Sequence, residues 1–76
     1  MDLQTLGLRG DYITLDALLK AGGLVASGGD AKRLIATGAV QVNGQTESRR
    51  GRKLRAGDLV QLGDRCVRVQ GAPEPR

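Results

Sequence analysis

Five cations fall within seven residues of this chain: Arg49, Arg50, Arg52, Lys53 and Arg55. Guanidinium and ammonium groups hold their protons at neutral pH, so the chemistry such a run offers is anion binding. Arginine outnumbers lysine four to one here. Its planar fork pairs bidentately with phosphate, which a lysine ammonium does not do. Removing these five leaves seven Lys/Arg against eight Asp/Glu, a net charge of −1. The basicity is therefore local, and a near-neutral chain with one basic stretch points to an anionic partner.

Three such partners compete. A membrane surface calls for a basic amphipathic helix or a polybasic tail beside an anchor. The cluster instead lies between predicted strands and contains Gly51. An acidic protein remains open: the chain would then be an adaptor whose basic loop docks that partner. Nucleic acid fits best. A merely solvated charge run is the bland alternative, opposed by Leu54 and the turn behind it, which tie the stretch to a sheet.

Catalysis finds little material. The chain has no His, and the acids between its termini stand singly: Asp11, Asp16, Asp30, Glu47, Asp58 and Asp64. None forms a pair with catalytic or metal-binding spacing. Asp30 suits a helix cap, and Asp58 and Asp64 suit turns. Cys66 is alone, which excludes an internal disulfide, and it reads as a small buried or half-buried hydrophobe. "SGGDAK" (27–32) lacks the spacing and terminal Gly-Lys-Ser/Thr of a nucleotide-cradling loop. Gly28 and Gly29 there admit two compatible readings: exposed backbone N–H groups for one phosphate, or room for close helix packing. No enzyme, cofactor, metal or small-molecule substrate is expected.

The elements that must position the basic stretch read as follows. "ITLDALLKAGG" (13–23) predicts a helix capped by Thr14, with Leu15, Leu18 and Leu19 on its apolar face and Gly22-Gly23 ending it. "SGGDAKRLIATG" (27–38) predicts a second helix, with Ser27 and Asp30 at capping-box spacing and Ala31, Leu34 and Ile35 buried. After Gly38 the period falls to two. "AVQVNG" gives a strand and an Asn43-Gly44 turn, "QTES" a short return, and "LVQL" and "RCVRVQ" a hairpin around Gly63-Asp64. The class expected is α+β: two packed N-terminal helices followed by a small curled antiparallel sheet. One domain is expected over 12–70, between a flexible N-terminus (1–11) and a flexible tail (71–76). No run is apolar and long enough to span a membrane, and the start has no signal-peptide character. Together with the lone Cys66, these features favour the cytoplasm.

Tyr12 is the only aromatic residue. Single-strand binders stack bases on aromatic rings, so readout by stacking is not expected. Phosphate and ribose contacts to structured RNA, read by shape, remain.

The order "LDALLKAGGLVASGGDAKRLIATGAVQVNGQ…GRKLRAGDLVQL" resembles the RNA-binding domain named after ribosomal small-subunit protein four, and most of all its stand-alone bacterial members of the YbcJ/YaaA type. The matching elements are Leu15-Asp16, Ser27, Ala31, Ile35, Gly38, Val40 to Gly44 and Gly57-Asp58, within residues 12–70. The resemblance implies an αL motif, in which the second helix and the following loop track RNA. Lys32, Arg33 and residues 49–55 would then border one groove, with Asn43 and Gln45 at its edge. Many members have Arg directly after the capping Ser; here that position is Gly28.

The expectation is a non-catalytic monomeric module for structured RNA, with ribosomal and transfer RNA as candidates. Its binding residues would be Arg49, Arg50, Arg52, Lys53 and Arg55, assisted by Lys20, Ser27, Gly28, Gly29, Lys32, Arg33, Asn43 and Gln45.

Overall fold

The computed structural model describes residues 2–71; the expected tail, from residue 72 onward, lies outside them. The chain opens with a strand, not a helix. β1 (Asp2–Gly7) is followed by the two-residue β2 (Ile13–Thr14), then α1 (Leu15–Ala21) and α2 (Gly28–Ala36). Five strands complete it: β3 (Val40–Val42), β4 (Gln45–Thr46), β5 (Lys53–Leu54), β6 (Leu59–Leu62) and β7 (Arg65–Gln70).

This corrects the expected fold class. The main sheet has five strands in the order β1-β7-β6-β3-β4, and β2 pairs with β5 in a second sheet. β1 runs parallel to β7, from Asp2↔Arg65 to Gly7↔Gln70, so the sheet is mixed and not purely antiparallel. Two helices followed by a sheet is therefore the wrong layout: the first and last strands lie side by side, and strand residues outnumber helical ones. The physical reason is distance along the chain. "DLQTLG" has no hydrophobic alternation strong enough to mark a strand. Its hydrogen-bonding partner lies about sixty positions away, beyond any local pattern.

The helices form for local reasons, and α1 buries Leu15, Leu18 and Leu19 completely. Its predicted cap differs from the expectation. Thr14 makes no side-chain bond to the helix backbone; its hydroxyl donates to Asp16 Oδ1 at 2.7 Å. Ile13 and Thr14, the first residues of the stretch expected as helix and its cap, belong to β2. α2 has the expected cap, with the Asp30 N–H donating to Ser27 Oγ at 3.2 Å. Both helices end in the same way. Gly23 (φ 73°) and Gly38 (φ 82°) take the left-handed conformation, and the next N–H groups close back: Leu24 onto the Leu19 carbonyl and Ala39 onto that of Leu34.

Two-residue turns set the register of the antiparallel strands. Val42 faces Gln45 across Asn43-Gly44, and Leu62 faces Arg65 across Gly63-Asp64. The core is built without rings: Leu15, Leu18, Leu19 and Ile35 from the helices meet Val40, Val42, Val60, Val67 and Val69 from the sheet. Cys66 is buried with a free thiol. No helix among the described residues is long and apolar enough to cross a membrane.

Candidate nucleic-acid interface

The basic stretch is fixed at its backbone. β5 pairs antiparallel with β2, with Ile13 opposite Leu54 and Thr14 opposite Lys53, and Leu54 is fully buried. The first N–H groups of a helix have no partner within the helix. In α1 the basic stretch supplies partners: Leu15 N–H donates to the Arg52 carbonyl at 2.9 Å and Asp16 N–H to that of Arg50 at 3.0 Å. The Arg52 N–H closes a turn onto the Arg49 carbonyl at 3.2 Å. A run that could have been a solvated loop is thus held by three backbone bonds and a buried leucine.

Its side chains divide into two sets. Glu47 is a buried acid, 6% exposed. Its carboxylate accepts from Arg49 Nε at 3.3 Å, from an Arg49 terminal nitrogen at 3.2 Å and from Arg52 at 2.9 Å. The Arg49 backbone N–H adds a fourth bond at 3.2 Å. Hydrogen bonds from Arg49 first, then Arg52, hold the Glu47 carboxyl down at about 2 against an ordinary 4.5; burial opposes them and loses. Arg50, Lys53 and Arg55 are exposed, and among the described residues no carboxylate lies within ion-pair distance of them. Arg49 keeps a largely open side chain (76% exposed), whereas Arg52 is mostly covered (33%). The sequence reading missed Glu47, which stands two residues before Arg49 and five before Arg52 and looked like one more isolated acid.

The remaining predicted residues scatter more widely. Asn43 spends its amide on the fold: Nδ2 donates to Asp58 Oδ1 at 3.1 Å, and Oδ1 accepts from the Leu59 N–H at 3.0 Å. Asp58 in turn accepts from the Arg55 N–H at 2.8 Å, the main cause of its lowered pKa. This lock joins the β3–β4 turn to the end of the basic stretch. Gln45 is exposed on β4. Lys20 is exposed in the last turn of α1, where the helix dipole favours a cation. Lys32 and Arg33 are exposed on α2, off the buried stripe of Ala31 and Ile35. Beyond the stretch itself, the described hydrogen bonds of residues 49–55 lead to β2, α1, Glu47 and Asp58, and none leads to α2. Gly28 and Gly29 are exposed, and a Cβ added at Gly28 would meet open space. Close helix packing therefore does not explain Gly28. Among the described residues, no three of His, Cys, Asp and Glu gather as a metal site.

Comparison with known proteins settles the kinship. The family model described as the S4 domain matches residues 6–70. The chain belongs to the S4-domain family. A probable ribosome maturation protein, RlbA of Bacillus subtilis, is 42% identical to this S4 domain over 52 residues, covering 68% of this chain and 73% of that protein. The tyrosine–tRNA ligase of Burkholderia lata is 40% identical over 65 residues, 84% of this chain but only 16% of the ligase. Among solved structures, that of YbcJ from E. coli, described as revealing an αL motif involved in RNA-binding, superposes with a TM-score of 0.63 at 37% identity, covering 92% of this chain and 87% of that one. The resemblance noted from the residues, the YbcJ type included, is thereby shown.

Proposed function

We propose that this S4 domain binds structured RNA through the outward-facing cations of residues 49–55, without catalysing a reaction on it. The observation that carries the reading is the pairing of a pinned backbone with unneutralised side chains. Arg50, Lys53 and Arg55 project from a segment fixed by β2 and α1, and Arg49 adds a guanidinium that remains largely open. A rigid base lets cations meet a phosphate chain without first losing backbone freedom. Lys32 and Arg33 would extend the surface along α2, so that the second helix and the basic stretch border one groove. The likeness to YbcJ, described as RNA-binding, and to a probable ribosome maturation protein supports RNA as the partner and ribosomal RNA as the first species to try.

Salt dependence tests this. Three to four phosphates neutralised by these cations correspond to a slope of log affinity against log salt on the order of −3 to −4. Titrating ribosomal RNA fragments by fluorescence anisotropy between low and moderate salt measures it. A flat response would remove phosphate neutralisation as the mechanism.

A further inference from the structure

The chain's single aromatic ring stands at the junction of the basic stretch and a groove. Tyr12 is 45% exposed and immediately precedes β2, whose partner strand carries Lys53. Lys53 Nζ lies 5.0 Å and Arg55 Cζ 6.0 Å from the ring centroid, within cation–π range. On the ring's flank opens a groove of about 550 Å³, lined by Leu6, Tyr12, Ile13, Ala17 and Ala21, with Arg9 also at its wall. Ala17 and Ala21 lie one turn apart on α1 and offer only methyl groups, so that wall is apolar and leaves space.

We propose that this groove seats one unpaired nucleobase of the bound RNA against Tyr12, while Lys53 and Arg55 hold the phosphates beside it. This rests on the RNA-binding reading above and adds a base-contacting site to it. A slot with apolar side chains along it, Arg9 at its wall and Lys53 and Arg55 beside its aromatic ring suits a nucleotide, whose base is flat and apolar on its faces and whose backbone is anionic. Its volume falls in the range of about 300–1,000 Å³ usual for small-molecule sites. A lipid surface or an apolar peptide would call for a wider hydrophobic face. Here the exposed large hydrophobic residues described are Tyr12 and Leu3 alone. Because Lys53 and Arg55 lie 5.0 and 6.0 Å from the ring centroid, a phosphate they neutralise lies close to the ring that lines the groove.

The test uses three RNA hairpins: one with a single bulged adenosine, one abasic at that position and one fully paired. All are titrated at low salt, where charge supplies general affinity. The bulged adenosine should bind about 5- to 100-fold tighter than the abasic form, the usual worth of one base on an aromatic ring. Tyr12→Phe should keep that ratio and Tyr12→Ala should abolish it. Ala17→Leu, at an exposed position, should abolish it by filling the groove. Tyr12 is the chain's only fluorophore of its kind, so its emission should quench with the bulged adenosine and not with the abasic hairpin. Equal affinity for all three hairpins, with the steep salt slope retained, overturns the base seat and leaves the phosphate reading standing. Failure of all three to bind overturns both.

Discussion

Arg49 and Arg52 differ from Arg50, Lys53 and Arg55 in what they face, though all five share one short stretch. The first pair converges on the buried Glu47 carboxylate. The other three meet solvent, with no carboxylate within ion-pair distance among the described residues. The difference separates two tasks that look alike in the sequence. One set fastens the loop to the fold, and the other gives the loop its field. A count of cations overstates the charge available to a ligand by whatever the fold consumes.

The strongest way to break this division is to remove the outward set alone. Arg50→Ala/Lys53→Ala/Arg55→Ala should weaken RNA binding on the order of 100-fold at moderate salt, at about 1 kcal/mol lost for each phosphate contact. Folding stability should fall by no more than about 1–2 kcal/mol, the worth of the two exposed cation–π contacts on Tyr12. Anisotropy titration and urea melts on one preparation give both numbers. A large loss of stability with RNA affinity intact would reverse the two roles.

Glu47→Gln probes the inward set. The substitution keeps the shape but removes the charge that Arg49 and Arg52 face. It should cost about 1–3 kcal/mol at neutral pH, which for a domain of this size is on the order of 4–8 °C in melting temperature per kcal/mol. The pH dependence has a definite sign. Folding holds the Glu47 pKa at about 2, below its ordinary 4.5. The stabilisation is therefore complete above about 4.5 and disappears as pH falls toward 2. The native protein should lose its advantage over Glu47→Gln across that window. A stability gap that stays constant from neutral pH to pH 3 would show that the carboxylate charge contributes nothing.

What the sequence made legible follows the same line between local and distant causes. Both helices, their glycine ends, the Ser27 cap and the two hairpin turns depend on neighbours within a few residues, and each could be read from spacing. β1 depends on β7, and its six residues carry no mark of that pairing. The start of α1 is satisfied by carbonyls from the basic stretch, which is why Thr14 reads as a cap and is not one by its side chain. By sequence Asn43 suits both a turn and a binding role. The turn is present, and the amide is committed to Asp58 and Leu59, contacts fifteen or sixteen positions away. The positions of the cations were legible, but their directions were not, because direction depends on where Glu47 is buried.

The smallest expected effect asks whether the interface extends from the basic stretch to α2. Gly28 follows the capping Ser27 at a point where a side chain meets open space. Arginine there has two opposing effects on the helix. Replacing Gly gains up to about 1 kcal/mol of helix propensity, while a cation in the first turn costs about 0.3–1 kcal/mol against the dipole. Stability should hardly move, so a change in RNA affinity reports contact and not folding. If Lys32, Arg33 and residues 49–55 border one groove, Gly28→Arg adds a phosphate contact. Affinity should rise about 3- to 10-fold, and the salt slope should steepen by nearly one. An unchanged slope would confine the interface to the basic stretch and the β2–α1 junction, and leave Lys32 and Arg33 as solvated charges on a helix that serves only the core.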